Sequence, residues 1–260
     1  MYNSLASVHP EAKIAANVTI GPFVTIEKNV EIGEGTVIMP HATIMEGARI
    51  GKNCHIFPCA VISGIPQDLK FKGEDTVAII GDNTTIREGV TINRGTASKG
   101  KTVIGENCLI MAYCHIGHDC FLGNNIIISN ATQLAGEVTV DDYATISGGV
   151  LIHQFSHIGA HVMVQGGSKV SKDIPPYITA GRDPLCFVGL NSIGLRRRGY
   201  DIEQIDCIQH IYRLIYQSGL NISQALDQVE KELPESAERT YIENFIKESP
   251  RGVIRGTLDI

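Results

Sequence analysis

The sequence has no tryptophan, and aromatic residues make up only 6% of its 260 positions. No apolar run approaches the roughly 18–20 residues that a membrane-spanning helix needs, so no integral membrane segment is expected. The first residues, MYNSLASVHPEAKI, lack both a basic start and a continuous apolar core, so no secretory signal is expected. Seven cysteines is an odd number, and they lack the spacing of a disulfide scaffold. We therefore expect a cytoplasmic protein with reduced thiols.

Charge and composition exclude a further class of protein. The net charge of −6 leaves no excess of lysine and arginine, which binding to nucleic-acid phosphates requires, so no nucleic-acid binding is expected. A hydrophobic content of 43% with 19% charged residues is ordinary for a globular protein. The length suffices for a sizeable core in one or two domains.

What the sequence does contain is a repeat of six residues. An aliphatic residue recurs at every sixth position within 8–62, 80–92 and 104–170, and all 25 of these positions hold Ile, Leu or Val. A helix would repeat near 3.6 residues and a simple strand near 2. A period of six is typical of the hexapeptide parallel β-helix, in which three hexads close one coil. Residues 18 apart then stack at about 4.8 Å, the spacing of neighbouring strands.

The repeat also predicts the domain organisation. A β-helix is expected over residues 1–185, and a C-terminal α-helical domain over 186–260. The hexad frame breaks at 63–79 and again at 93–103, which predicts two loops that leave the coil. Such loops are the usual place for function in a regular scaffold.

Helical periodicity and capping residues predict three helices in the C-terminal part. Asp201 is expected to cap a helix over 202–217, and Gly219 lies just beyond its end. Ser223 is expected to cap a second helix that stops near Pro234. A third helix is expected around 237–248.

Three cysteines around the stretch MAYCHIGHDCFLGNN (111–125) share one position of the hexad. Cys108, Cys114 and Cys120 each occupy the fifth, inward position, where other hexads carry small residues. Zinc ligands must converge on one point, whereas a six-residue repeat sends these thiols to successive faces. The sequence therefore favours core cysteines over a metal site.

The histidines of the same stretch occupy outward positions instead. His118 is third in its hexad, and Gly136 and Gln154 follow it at intervals of 18, with His153 beside the latter. These residues should form one column about 10 Å long on the outer wall. Such a column could accommodate a sugar-sized substrate, although surface histidines are also common without any function.

Several motifs give the chain a close resemblance to a known family over nearly its whole length. It resembles the UDP-N-acetylglucosamine acyltransferases of lipid A synthesis, which are left-handed β-helix proteins. The matching pieces are PQDLKF (66–71), TINRGT (91–96), HIGHDC (115–120), LAG (134–136), HQF (153–155), GAHVMV (159–164), DIPPY (173–177) and GLRRRGY (194–200). The resemblance implies a mainly β fold, a left-handed parallel β-helix with a C-terminal α-helical domain, and a homotrimer with sites between subunits.

The resemblance also implies a reaction. A 3-hydroxyacyl group moves from the thioester of acyl carrier protein to the glucosamine 3-hydroxyl of UDP-N-acetylglucosamine, in the first step of lipid A biosynthesis. His118 would be the general base, since an imidazole titrates near neutrality. Asp119 would orient it, and the Gly136 N–H would be the oxyanion donor. Adjacent strand residues point oppositely, so the contact between Asp119 and His118 requires a corner. No cofactor and no metal ion are implied.

Further positions match the family's substrate contacts. Those expected to line the sugar and acyl site are Asp68, Lys70, His115, Asn130, His153 and Gln154, with Gly166 along the acyl groove. Those expected near the nucleotide are Asn191, Arg197 and Arg198, since a guanidinium group suits a diphosphate. Glu137 stands where the family often has histidine. Docking of an acidic carrier protein should use the cations Lys169, Lys172, Arg182 and Arg196–Arg198.

Three other interpretations remain open from the residues alone. One is a metal-dependent enzyme of the γ carbonic anhydrase type, using His115, His118 and a third histidine, although HxxH is not the usual spacing of that family. Another is a solenoid that binds a partner without catalysis. The third is another acyltransferase of this fold, such as the N-acyltransferase that acts later in lipid A synthesis.

Overall fold

A computed structural model describes residues 3–256, and its main feature is a coil with three flat sides. Successive short strands pass from one side to the next, so within the repeat each side is a parallel sheet built from every third strand. Equivalent positions are 18 residues apart, as the pairing of His115 with Gln133 and of Gln133 with Leu151 illustrates. Each set of three hexads therefore makes one coil, as the repeat predicts.

Three sheets make up the coil. Sheet 1 contains β1 (Ser7–Val8), β4 (Thr25–Ile26), β7 (Thr43–Ile44), β10 (Val61–Gly64), β13 (Thr91–Asn93), β16 (His115–Ile116), β19 (Gln133–Leu134), β22 (Leu151–Ile152) and β25 (Lys169–Val170). Sheet 2 contains β2 (Lys13–Ile14), β5 (Glu31–Ile32), β8 (Ala48–Ile50), β11 (Val77–Ile80), β14 (Lys101–Ile104), β17 (Phe121–Leu122), β20 (Thr139–Val140) and β23 (His157–Ile158). Sheet 3 contains β3 (Thr19–Ile20), β6 (Val37–Ile38), β9 (His55–Ile56), β12 (Thr85–Ile86), β15 (Leu109–Ile110), β18 (Ile127–Ile128), β21 (Thr145–Ile146), β24 (Met163–Val164), β26 (Ile178–Gly181), β27 (Cys186–Leu190) and β28 (Arg255–Gly256).

The aliphatic residues of the repeat fill the centre of the coil. All of them are buried except Val8 and Ile14, which are half-buried in the first coil. Burial of one such side chain contributes about 1.5–3 kcal/mol, so this column is the main source of the coil's stability. Cys108, Cys114 and Cys120 are each 1–2% exposed and lie in the same core, as predicted.

The three corners of the coil carry different side chains, and we name them by the sheet they follow. The first corner follows sheet 1, the second follows sheet 2 and the third follows sheet 3. Two irregular segments leave the coil at the first corner: loop 1 (65–76), between β10 and β11, and loop 2 (94–100), between β13 and β14. Both are shorter than the predicted 63–79 and 93–103, because strand pairing extends into those ranges.

The C-terminal part combines helices with two further strands. β27 pairs antiparallel with β26, and β28 pairs with β27, so sheet 3 continues into the range predicted to be helical. The helices are α1 (Ser192–Arg197), α2 (Ile202–Gln217), α3 (Ile222–Glu232) and α4 (Ala237–Lys247). No helix among residues 3–256 is long and apolar enough to cross a membrane.

Helix capping agrees with the sequence in one case and differs in another. Asp201 caps α2 through a capping box with Gln204, as its position before the apolar stripe predicts. The expected cap of α3 at Ser223 is wrong, because Asn221 accepts from the Gln224 N–H and α3 begins one residue before Ser223. The short helix α1 was not predicted, since six residues give no readable periodicity.

Candidate active site

His118 and Asp119 form a hydrogen-bonded pair at the first corner. The Nδ1 of His118 lies 2.8 Å from Oδ2 of Asp119. Asp119 has a left-handed backbone, with φ of 58°, and this turn brings its carboxylate back beside the preceding residue. The imidazole is 12% exposed and the carboxylate is fully buried, so only the ring reaches the surface. The corner that this contact requires is therefore present.

Loop 2 holds the Asp119 carboxylate in its ionised form. The Thr96 hydroxyl donates to Oδ2 at 2.6 Å, and the amides of Thr96 and Lys99 donate to the carboxylate at 3.0 and 3.2 Å. Burial alone would raise the pKa of Asp119, but the hydrogen bonds from Thr96 and His118 outweigh it and lower that pKa. An ionised Asp119 accepts from Nδ1–H of His118, which leaves the lone pair of Nε2 free to take a proton.

Thr96 was not predicted as a partner of this pair. It belongs to the TINRGT motif and to a segment expected to leave the coil. Its contact with Asp119 joins residues 23 positions apart, however, and no hexad spacing predicts such a contact. The signal available in the sequence was the break in the repeat shortly before HIGHDC.

Gly136 lies directly against the ring of His118. A Cβ atom at this position would lie 2.5 Å from Nε2 of His118, so only glycine fits without moving the imidazole. Among residues 3–256 no group accepts a hydrogen bond from the Gly136 N–H. The same hexad position holds proline at Pro10, Pro22, Pro40 and Pro58, so the coil does not use an N–H there. This donor is therefore available to a ligand beside Nε2.

The residues above His118 continue along the same corner, as the spacing of 18 predicts. Glu137 donates its N–H to the His118 carbonyl at 2.8 Å, and Phe155 donates to the Gly136 carbonyl at 3.3 Å. Gln154 thus lies one coil above Gly136. The exposed His153 beside it places Nδ1 2.9 Å from the Gln154 carbonyl oxygen.

Glu137, the departure from the family pattern, contacts loop 2. Its carboxylate lies 3.3 Å from the Ser98 hydroxyl and 3.9 Å from Nζ of Lys99. The side chain is 18% exposed. Glu137 therefore supports the loop that carries Thr96.

His115 lies on the outer side of sheet 1, next to the first corner. Its Nδ1 is 2.7 Å from the Thr91 hydroxyl, one coil below. Burial, with a smaller contribution from nearby His118, lowers the pKa of His115, so the ring is neutral at pH 7. Loop 1 brings Asp68 and Lys70 to the same corner, two coils below His118, and the Lys70 N–H donates to the Asp68 carboxylate at 2.9 Å.

The remaining candidate residues lie at the other two corners. Asn130 and Gly166 are at the third corner, across sheet 1 from His118, and Gly148 stacks between them. The helix α1 and its two ends carry Asn191, Arg197 and Arg198. This helix packs at the second corner, across sheet 2 from His118, where the Asn191 side chain donates a hydrogen bond to the His161 carbonyl. One chain therefore brings together the expected catalytic residues but not the complete set of expected substrate contacts.

The thiols near the site are inert core groups. Sγ of Cys114 lies 3.1 Å from the Ser129 carbonyl oxygen, and Sγ of Cys120 lies 3.1 Å from that of Ala135. Burial raises the pKa of Cys120 to about 12. Among the described residues, no group of three His, Cys, Asp or Glu side chains is arranged to hold a metal ion.

Three family models match parts of this chain. The family model described as Udp N-acetylglucosamine O-acyltransferase, domain 2, matches residues 173–254, and a hexapeptide transferase model of six repeats matches 101–136. The model described as GMPPB C-terminal domain matches 3–103. The chain is 45% identical to an acyl-(acyl-carrier-protein)–UDP-N-acetylglucosamine O-acyltransferase of Thermodesulfovibrio yellowstonii, over 96% of this chain and 97% of that protein.

Solved structures of similar sequence share the whole fold. A UDP-N-acetylglucosamine acyltransferase from Bacteroides fragilis is 57% identical, with a TM-score of 0.97 over 98% of this chain and 100% of that one. The corresponding protein of Francisella novicida is 41% identical, with a TM-score of 0.95 over 98% of this chain and 94% of the other.

The fold defines a class. A left-handed parallel β-helix of hexapeptide repeats, with helices at its C-terminal end, is the fold of the hexapeptide acyltransferases that this chain matches. Within that class, the chain belongs to the UDP-N-acetylglucosamine O-acyltransferase family.

Proposed function

We infer that this protein transfers a 3-hydroxyacyl group from acyl carrier protein to the 3-hydroxyl of UDP-N-acetylglucosamine, the first step of lipid A biosynthesis. The observation that carries this function is the His118–Asp119 pair beside the unused Gly136 N–H, within a chain that matches these O-acyltransferases along nearly its whole length. The same full-length match favours O-acyl transfer over a scaffold or a metal-dependent enzyme.

The geometry supports a direct transfer. Nε2 of His118 takes the proton of the sugar 3-hydroxyl while that oxygen attacks the thioester carbonyl, a step to which general base catalysis contributes about 10²–10⁴-fold. The Gly136 N–H donates to the developing oxyanion, and one such donor contributes about 3–4 kcal/mol. When the C–O bond has formed and the C–S bond breaks, His118 returns its proton to the departing sulfur. The ionised Asp119 stabilises the imidazolium between these two steps.

We propose that substrate binding uses residues of more than one chain. The first corner is bordered by His118 and by most of the expected sugar and acyl contacts, namely Asp68, Lys70, His115, His153 and Gln154. The second corner carries the expected nucleotide contacts, which are Asn191, Arg197 and Arg198. Asn130, expected to line the sugar and acyl site, lies at the third corner with Gly166, which is expected along the acyl groove. A homotrimer that packs sides of neighbouring coils together can unite these groups, and such a cytoplasmic trimer would meet both of its water-soluble substrates. No metal ion or cofactor takes part in the proposed reaction.

The test is an assay with purified protein, a 3-hydroxyacyl carrier thioester and UDP-N-acetylglucosamine. We expect a UDP-sugar that carries one ester-linked 3-hydroxyacyl chain, identified by mass and by its sensitivity to mild alkali. UDP-3-O-acyl-glucosamine, which presents a free amine, serves as the control acceptor for the N-acyltransferase activity of this fold. Transfer to the amine alone, or no transfer by the folded protein, would contradict the proposed function.

A further inference from the structure

A ladder of three aromatic rings runs along the second corner, away from His118. The ladder consists of Tyr143, His161 and Tyr177, which follow one another on successive coils. Each has a left-handed backbone, with φ between 59° and 69°. The rings of Tyr143 and His161 are stacked with centroids 4.9 Å apart, and those of His161 and Tyr177 are 5.6 Å apart. These distances approach the spacing of neighbouring strands, so the coil itself sets the stack.

His161 is the centre of the ladder and makes few polar contacts. It is 8% exposed, and its Nδ1 is buried without a hydrogen-bond partner among residues 3–256. The Tyr200 hydroxyl lies 3.3 Å from Nε2, at the edge of hydrogen-bonding range. Burial, and then the charge of Arg198, lower the pKa of His161 to about 4. The ring is therefore a neutral aromatic platform at pH 7.

Both ends of α1 rest on this ladder. At its start, the Asn191 side chain donates to the His161 carbonyl at 2.9 Å and accepts from the Gly194 N–H at 3.2 Å, so it caps the helix and anchors it. At its end, the guanidinium carbon of Arg198 lies 5.1 Å above the centroid of the Tyr143 ring, within the range of a cation–π contact. His161, on the next coil, stacks on this Tyr143 ring.

We propose that His161 is a positioning residue for the nucleotide. It holds Asn191 and, through Tyr143, the Arg198 guanidinium at the positions where both meet the UDP group of the substrate. This proposal rests on the proposed function, because Asn191 and Arg198 are nucleotide contacts only if the substrate is a UDP-sugar. Arg198 has many rotamers, and restricting them before binding lowers the entropic cost of engaging a diphosphate. His161 itself is buried and does not contact the substrate.

The test compares His161→Ala with His161→Phe, which keeps an aromatic ring in the stack. The measurements are the Kd for UDP-N-acetylglucosamine by calorimetry and the separate steady-state constants for both substrates. We expect His161→Ala to raise the Kd and the KM for the UDP-sugar on the order of tenfold, with kcat and the carrier KM changed by less than about twofold. His161→Phe should restore most of the UDP-sugar affinity. His41→Ala is the matched control, because His41 also has a left-handed backbone and stacks on Phe23 at 5.0 Å, near the other end of the coil.

A double-mutant cycle tests whether His161 acts through Arg198. If it does, His161→Ala should raise the Kd by much less in an Arg198→Ala background than in the wild type. Full additivity, an unchanged Kd in folded His161→Ala, or a phenylalanine variant as weak as the alanine variant would each overturn the proposal. If His161→Ala fails to fold, Tyr143→Leu removes the ring beneath Arg198 and must show the same rise in Kd and the same coupling.

Failure of this inference can be distinguished from failure of the proposed function. If the proposed function is wrong, the wild-type protein neither binds UDP-N-acetylglucosamine nor acylates it. If only the positioning role is wrong, the wild type does both and the His161 variants match it.

Discussion

At the scale of single residues, His118 is held from two sides. Oδ2 of Asp119 accepts a hydrogen bond from Nδ1–H of His118 at 2.8 Å, and the backbone of Gly136 lies against the opposite edge of the ring. Because the carboxylate is fully buried and bonded to loop 2, the imidazole has one accessible nitrogen and one orientation. Catalysis by proton transfer depends on that orientation as much as on the pKa.

The first prediction tests His118 as the proposed base. His118→Ala should lose at least about 10²-fold in kcat, because general base catalysis contributes about 10²–10⁴-fold. The fold should be kept, since the ring is an outer-wall group and not part of the aliphatic column. The measurements are turnover in the carrier-thioester assay and thermal unfolding. Near-wild-type turnover in a preparation free of host enzyme would exclude His118 as the base.

The second prediction concerns pH and His161. The pKa of His161 falls from an ordinary 6.5 to about 4 in the folded protein, so between these values the unfolded chain binds a proton that the folded chain does not. Stability must therefore decrease as the pH falls from about 6.5 to about 4, by about 3 kcal/mol from this group. The groups that face His161 are Arg198, Asp142, Tyr143, Tyr177 and Tyr200.

The measurement is the free energy of unfolding in denaturant for the wild type and for His161→Phe across that pH range. Other carboxyls and histidines titrate in both proteins, so only the difference between the two curves reports on His161. We expect the wild type to lose more stability than the variant as the pH falls. Parallel curves would show that His161 is protonated as readily in the folded chain as in the unfolded one.

At the scale of elements, the two loops distinguish the first corner, where the proposed catalytic residues lie, from the other two. Thr91 pairs with Val61, 30 positions earlier, and His115 with Thr91, 24 positions earlier, where a regular coil would have 18. The extra residues leave at the corner on which His118 lies, and loop 2 returns donors to Asp119. The aliphatic column keeps its register on either side because the insertions add whole hexads.

The third prediction tests loop 2 through Thr96. Thr96→Val removes the hydroxyl that donates to Asp119 at 2.6 Å but keeps the amide donor. Hydrogen bonds to charged groups contribute about 1.5–3 kcal/mol, and part of that should appear as a decrease in kcat on the order of tenfold, smaller than for His118→Ala. The control is Thr84→Val, which removes another buried hydroxyl, bonded to the Gly105 carbonyl at 2.8 Å.

Both threonine variants should lower the melting temperature, because each removes a hydroxyl that donates to a buried acceptor and accepts from a backbone N–H. Only Thr96→Val should slow turnover. If the two variants have equal kcat values, the Thr96 hydroxyl supports the fold and not the orientation of His118.

The sequence predicts the elements of the coil better than the contacts between them. Hexad position predicted that Cys108, Cys114 and Cys120 are core residues, and the interval of 18 placed His118 below Gly136. The contact of Thr96 with Asp119 could not be predicted from hexad position, because Thr96 lies in a loop outside the repeat and has no position in a hexad. The cap at Asn221 was missed because Asn221 and Ser223 are both good capping residues, and packing selects between them.

At the scale of the whole molecule, a basic hollow forms where the last coil meets the C-terminal strands. It has a volume of about 570 Å³, and its lining includes Lys169, Lys172, Arg182 and Arg255, with one carboxylate, Asp183. Three of these cations belong to the patch predicted for carrier docking. The exposed Arg196 and Arg197 do not line it and lie on α1 instead.

The fourth prediction uses this hollow. An acidic carrier protein should bind the basic hollow more weakly as the salt concentration rises, because salt screens exposed charges over a distance of about 10 Å at 0.1 M. Lys172→Glu and Arg182→Glu should raise the carrier KM several-fold while the KM for the UDP-sugar stays within about twofold. Lys52→Glu, an exposed lysine near the other end of the coil, is the charge-matched control. A carrier KM independent of salt would show that charge does not guide docking.

The last prediction follows from the division of the expected site among corners. His118 is at the first corner and Arg198 at the second, with the full width of sheet 2 between them, so we expect that the two residues that serve one UDP-sugar come from different chains. If neighbouring chains share the site, a His118→Ala chain still supplies Arg198, and an Arg198→Ala chain still supplies His118. Mixed trimers then contain interfaces in which both residues are intact.

The experiment unfolds the two impaired variants together, refolds them as a mixture and assays the mixture at a UDP-sugar concentration well below the KM of the Arg198→Ala variant. The activity of the mixture should rise well above that of either variant refolded alone. As a share of wild-type activity, it should approach the fraction of interfaces that contain both intact residues after random assembly. The control mixes His118→Ala with a His118→Ala/Arg198→Ala double variant, which can never place an intact His118 in any interface. If the first mixture is as inactive as this control, while mass measurement shows that mixed oligomers have formed, each site is built from one chain. The division between corners would then have to be bridged by the substrate itself.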